Sequence, residues 1–189
     1  TITNVVDGSG FDEVLNADGS AITLNNGNSN SSLSNTLTYS VSLSVSTATI
    51  TFSGGTLSEA DFEALIDDLS YENNSDDPST SNRVVTITSI TDDGGTGGAN
   101  DDTNDALSLT STVSITAIND EPTLTATGSN PTFTEGSTAA VLYTGTSAST
   151  IEAGQLVTGF VVTVTNVVDG AIAGQDEVLN VGGIDVTLD

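Results

Sequence analysis

Residues 1–24 read TITNVVDGSGFDEVLNADGSAITL, and residues 163–188 repeat this stretch as TVTNVVDGAIAGQDEVLNVGGIDVTL. The first eight positions agree at seven, and the pentapeptide DEVLN is identical in both copies. Between these blocks, the second copy has AIAGQ where the first has SGF. Self-similarity at so long a period predicts a tandem array of whole domains, of which this chain covers slightly more than one period.

A domain boundary is predicted in the segment TAINDEPTLT, residues 116–125. This segment follows one predicted strand and precedes another, and Pro122 has no N–H to donate to a strand ladder. We therefore expect residues 1–118 to be the later part of one repeat and residues 119–189 to be the early part of the next.

Short segments of alternating apolar and polar residues predict antiparallel strands with one wet face. The predicted strands are Leu37–Leu43, Ala48–Phe52, Val84–Ile90, Leu107–Ile115, Thr123–Thr127, Ala139–Tyr143, Phe160–Thr165 and Ile184–Leu188. In residues 58–69, apolar side chains recur at helical spacing after a capping serine, so one short helix is expected there. The composition is 35% hydrophobic but only 4% aromatic, which favours a thin core of Val, Ile and Leu. The sequence thus predicts an all-β, antiparallel Greek-key β-sandwich of the immunoglobulin or cadherin-like type.

The charge balance restricts the possible partners. There are 26 acidic residues and a single basic one, and the formal net charge is −25. Binding to nucleic acid phosphates requires Lys and Arg, so nucleic acid is excluded as a partner, and an anionic membrane surface is disfavoured. Clustered carboxylates gain from a bound divalent cation, and calcium is the predicted counter-ion.

The chain has neither Cys nor His. This excludes disulfides, thiolate nucleophiles, the usual zinc and copper sites, and the common histidine base of hydrolases. Neighbouring carboxylates such as Asp12 and Glu13, or Asp176 and Glu177, point to opposite faces of a strand and cannot flank one glycosidic bond. We predict that the chain is not an enzyme.

No apolar run approaches the ~20 residues that cross a bilayer, and no segment resembles a signal peptide. Membrane insertion is therefore not expected. Because the chain lacks Met, we expect a processed fragment or an excerpt of a longer polypeptide, with any export signal elsewhere.

Several motifs occur in a characteristic order when the chain is read as a circular permutation. They are TFTEG, STIEAGQLVTG, TVTNVVDG with DEVLN, LSYENNSDDPSTSNRVVTITSITDDGG, and VSITAINDEP. This order resembles the cadherin-like calcium-binding repeats of giant bacterial surface adhesins, many of which are exported by type I secretion. The resemblance implies extracellular strings of β-sandwiches whose junctions are stiffened by calcium and which hold adhesive modules far from the cell, as in biofilms.

The same resemblance implies metal ligands at the junction. Glu135 in TFTEG is similar to the glutamate that opens such domains, and Asn119 with Asp120 resembles the linker pair between modules. Where family members commonly carry Asp-x-Asp, this chain has Glu152. All four residues are candidate calcium ligands.

Further candidates lie in two acidic loops. Asp92 and Asp93 stand in TDDGG, where glycines let the chain turn tightly around an ion, and Asp77 stands in the loop SDDP. The alternative at SDDP is a simple turn, since Asp and Pro both favour turns. For Asp101, Asp102 and Asp105, a solvated loop is the preferred interpretation.

Arg83 is the only basic residue and follows the SDDP loop at the start of a predicted strand. We expect it to form a structural ion pair with a nearby carboxylate such as Asp67, Asp68 or Asp77.

The predicted function is that of a structural repeat in an extracellular bacterial adhesin or surface fibre, with neighbouring repeats as partners. Two alternatives remain open. Strands exchanged between subunits could complete each sandwich and build a homopolymeric filament. Alternatively, loops 25–30 or 94–104 could bind a glycan through calcium, although the chain has no Trp for stacking on sugar rings.

Overall fold

Short antiparallel strands form most of the regular structure in the computed structural model, which describes residues 1–30, 33–95, 102–168 and 177–188. The chain divides into two units, unit 1 (Thr1–Asn119) and unit 2 (Asp120–Asp189). The predicted all-β class with one short helix is confirmed.

The elements of unit 1 follow the apolar segments of the sequence. In chain order they are β1 (Ile2–Thr3), a 3₁₀ turn (Asp7–Gly10), β2 (Glu13–Ala17), β3 (Ser20–Thr23), β4 (Ser29–Asn30), β5 (Thr38–Ser44), β6 (Thr47–Ser53), α1 (Glu59–Asp67), β7 (Ser70–Asn73), β8 (Arg83–Ile87), β9 (Ile90–Thr91), β10 (Thr103–Asn104) and β11 (Leu109–Val113).

Unit 1 contains two main sheets. The larger has the strand order β11-β8-β1-β6-β5-β4, the smaller has the order β3-β2-β7, and β9 pairs with β10 separately. Within the larger sheet, Ile2 of β1 lies opposite Ala48 on one side and Val85 on the other. The first copy of the repeated motif therefore supplies an interior strand to one sheet and the β2–β3 hairpin to the other.

The apolar faces of the two sheets share one core, so unit 1 is a β-sandwich. In β5, Tyr39 and Val41 are buried while Ser40 and Ser42 between them are exposed, as the two-residue period of a strand requires. Twelve buried residues form the core cluster: Ile2, Val5, Leu15, Ala17, Ile22, Leu24, Leu33, Leu37, Tyr39, Val41, Ala48 and Leu65. Tyr39 is the only aromatic residue in this cluster, in keeping with the thin aliphatic core expected from the composition.

Helix α1 packs onto this core as the sequence predicts. Ser58 caps it: the Ser58 hydroxyl accepts from the backbone N–H of Asp61 at 3.2 Å and donates to the Asp61 carboxylate at 2.7 Å. Leu65 is buried, and Phe62 and Leu69 pack against the core cluster. No helix in the described part of the chain is long and apolar enough to cross a membrane.

The strand predictions for unit 1 are confirmed with small shifts in their ends. The pattern in Val84–Ile90 covers two elements, because β8 ends at Ile87 and Ile90 belongs to the short strand β9. The pattern in Leu107–Ile115 corresponds to β11, Leu109–Val113.

The described residues of unit 2 form two separate strand pairs, β12 (Thr123–Gly128) with β13 (Tyr143–Ser149) and β14 (Glu177–Val181) with β15 (Ile184–Leu188). The predicted strands Thr123–Thr127 and Ile184–Leu188 are confirmed. The predictions of strands at Ala139–Tyr143 and Phe160–Thr165 are wrong, since the first meets β13 only at Tyr143 and the second has no regular structure. An alternating pattern of apolar and polar residues forms a strand only where a partner strand is available for hydrogen bonding.

Candidate functional site

The most highly connected polar group of unit 1 surrounds Arg83, which is fully buried at the start of β8. The expectation of a structural ion pair is confirmed, but the predicted partners Asp67, Asp68 and Asp77 are wrong. Arg83 pairs instead with Asp7 and Glu13. Both carboxylates belong to the repeated motif and precede Arg83 by 76 and 70 residues.

All five guanidinium N–H groups of Arg83 have an acceptor. Nε donates to Glu13 Oε2 at 3.0 Å, and Nη2 donates to Glu13 Oε1 at 3.1 Å and to Asp7 Oδ2 at 2.5 Å. Nη1 donates to the backbone oxygens of Ser79 and Ser81 at 2.8 and 2.5 Å. The bidentate contact with Glu13 fixes the plane of the guanidinium as well as its position.

The Glu13 carboxylate is equally well satisfied. Its Oε1 atom accepts from the backbone N–H groups of Val6 and Asp7 at 2.8 and 3.0 Å, and its Oε2 atom accepts from the Tyr71 hydroxyl at 2.7 Å. Glu13 is 0% exposed. Such a charge is tolerated in the core only because it is paired and hydrogen-bonded on every side.

Asp7 completes the group by holding the loop that leads to Arg83. Its Oδ2 atom accepts from the Asn73 side-chain amide at 2.7 Å, and its Oδ1 atom accepts from the backbone N–H of Ser79 at 3.0 Å. These hydrogen bonds and ion pairs connect the motif, β7 and the loop before β8 to one cation, Arg83.

The environment shifts two pKa values. The pKa of Tyr71 is raised. The largest cause is burial, and the hydrogen bond to Glu13 and the negative charge of that carboxylate add to it. Burial alone would lower the pKa of Arg83, but the hydrogen bond and charge of Glu13, with the charges of Tyr71 and Asp7, raise it overall. The buried arginine, the two carboxylates and the phenol are used in holding the fold together.

Sequence reasoning missed the partners of Arg83 because it looked among residues that are close along the chain. A usable signal was present: an aspartate and a glutamate stand in the otherwise apolar motif, at positions 7 and 13, and recur in the second copy at positions 169 and 177. Acidic residues kept within an apolar pattern indicate buried, paired carboxylates.

The predicted metal ligands of unit 1 lie on exposed loops. Asp92 follows β9, where its Oδ1 atom accepts from the backbone N–H of Gly94 at 2.8 Å and its own N–H donates to the Asp102 oxygen at 2.9 Å. Asp93, the residue after Asp92, is also exposed. Asp77 is exposed in the loop between β7 and β8. Asp101 of the predicted acidic loop lies outside the described residues.

In unit 2 the structure brings together two of the predicted ligands. The backbone N–H of Asp120 donates to Glu152 Oε1, while the other oxygen, Oε2, is buried without a hydrogen-bond partner among the described residues. Glu135 is exposed in the turn that closes with the Ser137 N–H on the Thr134 oxygen at 2.9 Å. Asn119 is the last residue of unit 1.

Across residues 1–30, 33–95, 102–168 and 177–188, no group of three or more acidic side chains is arranged to hold a metal ion. Two predicted ligands in unit 2, Asp120 and Glu152, are nevertheless adjacent.

The asparagines of loop 25–30 contribute their side chains to the fold. The Asn28 amide donates to the Thr23 oxygen at 2.7 Å, and the Asn26 amide oxygen accepts from the Leu43 N–H at 3.1 Å. These groups are thus engaged internally. The other predicted glycan loop, residues 94–104, lies partly outside the described residues.

The second copy of the motif reproduces the local geometry of the first. Asn166 and Asn4 have φ angles of 62° and 63°. The N–H of Val168 donates to Glu177 Oε1 at 3.2 Å, as the N–H of Val6 donates to Glu13 Oε1 at 2.8 Å.

The β14–β15 and β2–β3 hairpins also have the same register. Val178 lies opposite Thr187, as Val14 lies opposite Thr23. The other three facing pairs of β2 and β3 have counterparts in β14 and β15.

Comparison with protein-family models, with curated proteins and with solved structures gave no match. The likeness to cadherin-like adhesin repeats therefore remains a prediction from the sequence motifs.

Proposed function

We propose that this chain is a structural repeat of an extracellular bacterial adhesin or surface fibre, in which calcium stiffens the junctions between successive β-sandwiches. The recurrence of the motif carries this proposal. Two segments separated by about 160 residues form the same hairpin in the same register and the same Glu-to-backbone bond. A chain that builds one local structure twice is suited to propagating a repeated architecture.

The chemistry of unit 1 supports a mechanical role. Its most elaborate polar group, around Arg83, is buried and saturated with hydrogen bonds. Such a group holds distant parts of the chain together but presents nothing to a substrate.

The start of unit 2 supports the choice of calcium. Glu152 accepts from the Asp120 N–H with one oxygen and keeps the other buried and without a hydrogen-bond partner among the described residues. A bound cation would satisfy that oxygen, and calcium prefers carboxylate and carbonyl oxygens. Asp120 and Glu152 are the proposed ligands there, with Asn119 and Glu135 as further candidates. Calcium would supply charge neutralisation and a fixed geometry to the linker.

Small-angle X-ray scattering of the 189-residue chain tests the proposal, because the chain contains two units joined at the predicted junction. We expect calcium to make the particle more extended and less variable in shape than it is in chelator. The variant Glu152→Gln removes the charge from the proposed site and should abolish the difference.

A matched control is Asp185→Asn, which removes one negative charge from β15 in the same unit and should preserve the calcium response. Identical scattering profiles of the unaltered chain in calcium and in chelator would contradict the proposal.

A further inference from the structure

Strand β8 lies between β1 and β11 in the larger sheet of unit 1. Five facing pairs join β11 to β8, between residues Leu109–Val113 and Arg83–Ile87. Strand β1 has one facing pair with β8, Ile2 opposite Val85, and two with β6. Because β1 and β11 are both antiparallel to β8, they run in the same direction as each other.

This arrangement decides how unit 1 responds to tension along its chain. Tension pulls β1 toward its N-terminal end and β11 toward its C-terminal end, so the two pulls are opposed and act along the strand axes. The hydrogen bonds of an antiparallel pair are perpendicular to the strands, so such a load acts on all the bonds of a pair at once. With fewer facing pairs than β11, β1 is the strand expected to slide first.

The segment that follows β1 is anchored to the start of β8 by the Arg83 group, which consists of Arg83, Asp7 and Glu13. Glu13 Oε1 accepts from two backbone N–H groups of this segment, and Arg83 pairs with both carboxylates. The Asn4 side-chain amide also donates to the Asn82 oxygen at 2.7 Å. Continued movement of β1 along β8 separates the ion pairs and leaves buried charges unpaired, which is costly.

We propose that the Arg83 group is a mechanical latch, which holds β1 against β8 under tension and sets the load at which unit 1 opens. The latch lies within one sandwich, whereas calcium would act at the junction between sandwiches. The inference rests on the proposed function only in supposing that the chain carries tension.

Single-molecule force spectroscopy of the 189-residue chain tests the latch, since the chain has no Cys and handles can be attached at chosen positions. In the first geometry, a peptide linker precedes Thr1 and the second handle is attached to Ile118→Cys, at an exposed position after β11. The peptide N–H of Thr1 can still donate to the Thr86 oxygen. This geometry loads β1 and β11 in opposite directions.

The control geometry attaches the handles to Thr80→Cys and Ile118→Cys. Thr80 is exposed and precedes β8, at the end of the strand where Val113 faces Arg83. Pulling there peels β11 from β8 one pair at a time and leaves the ion pairs of Arg83 in place. We expect the first geometry to withstand a several-fold larger load. Equal opening loads in the two geometries would overturn the proposal.

Removal of one charge tests whether the ion pairs resist the load. Asp7→Asn keeps the shape of the side chain but removes an ion pair with Arg83. At constant load we expect it to raise the opening rate about 10-fold in the first geometry, because hydrogen bonds between charged groups are strong and forced opening depends on the unfolding rate. In the control geometry its opening rate should match that of the parent.

The matched control variant is Leu65→Ala, which removes buried apolar contacts of α1 and should lower stability in urea at least as much as Asp7→Asn does. Helix α1 is still packed when β1 begins to slide, so the opening rate under load should change by less than about 3-fold. Equal acceleration by both variants, or none by Asp7→Asn, would overturn the proposal.

These measurements are made in chelator, and the latch consists of residues of unit 1 alone. Failure of the latch would leave the calcium-stiffened junction intact, whereas a lack of calcium response in scattering would leave the latch intact.

Discussion

The β2–β3 and β14–β15 hairpins have the same register and both begin with EVLN, yet one is buried and the other is exposed. Ile22 of β3 is 0% exposed and its counterpart Val186 is 45% exposed. Because both copies form the hairpin and its Glu-to-backbone bond, the local sequence is sufficient for these two features. Burial depends on strands contributed from residues 38–87, which have no counterpart among the described residues of unit 2.

The contrast also shows which contacts stabilise the first hairpin. A two-stranded hairpin is marginal in water by itself, and it becomes stable when further strands and an apolar face are added. In unit 1 these additions are β7, the larger sheet and the Arg83 ion pairs. Substitutions at these contacts should therefore affect the first hairpin more than the second.

Arg83→Ala should destabilise unit 1 by about 4 kcal/mol, because it leaves Glu13 and Asp7 buried without a counter-charge. Denaturation in urea followed by circular dichroism measures the change. Arg83→Lys keeps the charge but has three donors in place of five, so its stability should be intermediate. Unchanged stability of Arg83→Ala would show that the buried group does not hold the first hairpin in place.

Equivalent truncations in the two hairpins should have unequal effects. Val14→Ala removes two methyl groups from a buried site and should cost about 2 kcal/mol. Val178→Ala makes the same chemical change at an exposed site and should stay within about 0.5 kcal/mol for the isolated molecule. Similar losses in thermal stability for the two variants would mean that the second hairpin is covered in solution.

The smallest effect concerns Tyr71 on β7, a strand that has no counterpart in the described part of unit 2. Tyr71→Phe removes the hydrogen bond to Glu13 and should cost about 1 kcal/mol at neutral pH. The pKa of Tyr71 is higher in the folded protein than in the unfolded chain. As the pH rises above about 10, the phenol therefore ionises in the unfolded chain while it stays protonated in the folded protein. The parent protein should lose stability over this pH range.

The phenylalanine variant lacks that ionisation, so its stability should fall less steeply at alkaline pH. Tyr143→Phe, at an exposed position on β13, is the control and should follow the parent. Parallel alkaline profiles for the parent and Tyr71→Phe would contradict the coupling between Tyr71 and Glu13.

Local features of the fold were predictable from the sequence. The helix capped by Ser58 and the strands around Val41 and Val85 follow from periodicity and capping, which depend on neighbouring residues. The strand predicted at Phe160–Thr165 failed because a ladder needs a partner that periodicity does not reveal.

The candidate sites were less predictable for the same physical reason. The pairing of Arg83 with Glu13 spans 70 residues, and only the folded sheets bring these side chains together. The adjacency of Asp120 and Glu152 is likewise set by the path of the chain between them. Composition correctly indicated a structural ion pair, but it could not select the carboxylates.

Because the single cationic side chain is enclosed in the core and there is no His, the exterior carries acidic groups without any basic side chain and keeps that character through the physiological pH range. Two such molecules lying flank to flank repel one another within the screening distance of about 8 Å in physiological salt. Lateral bundling is therefore opposed and should become possible only when salt or multivalent cations weaken the repulsion.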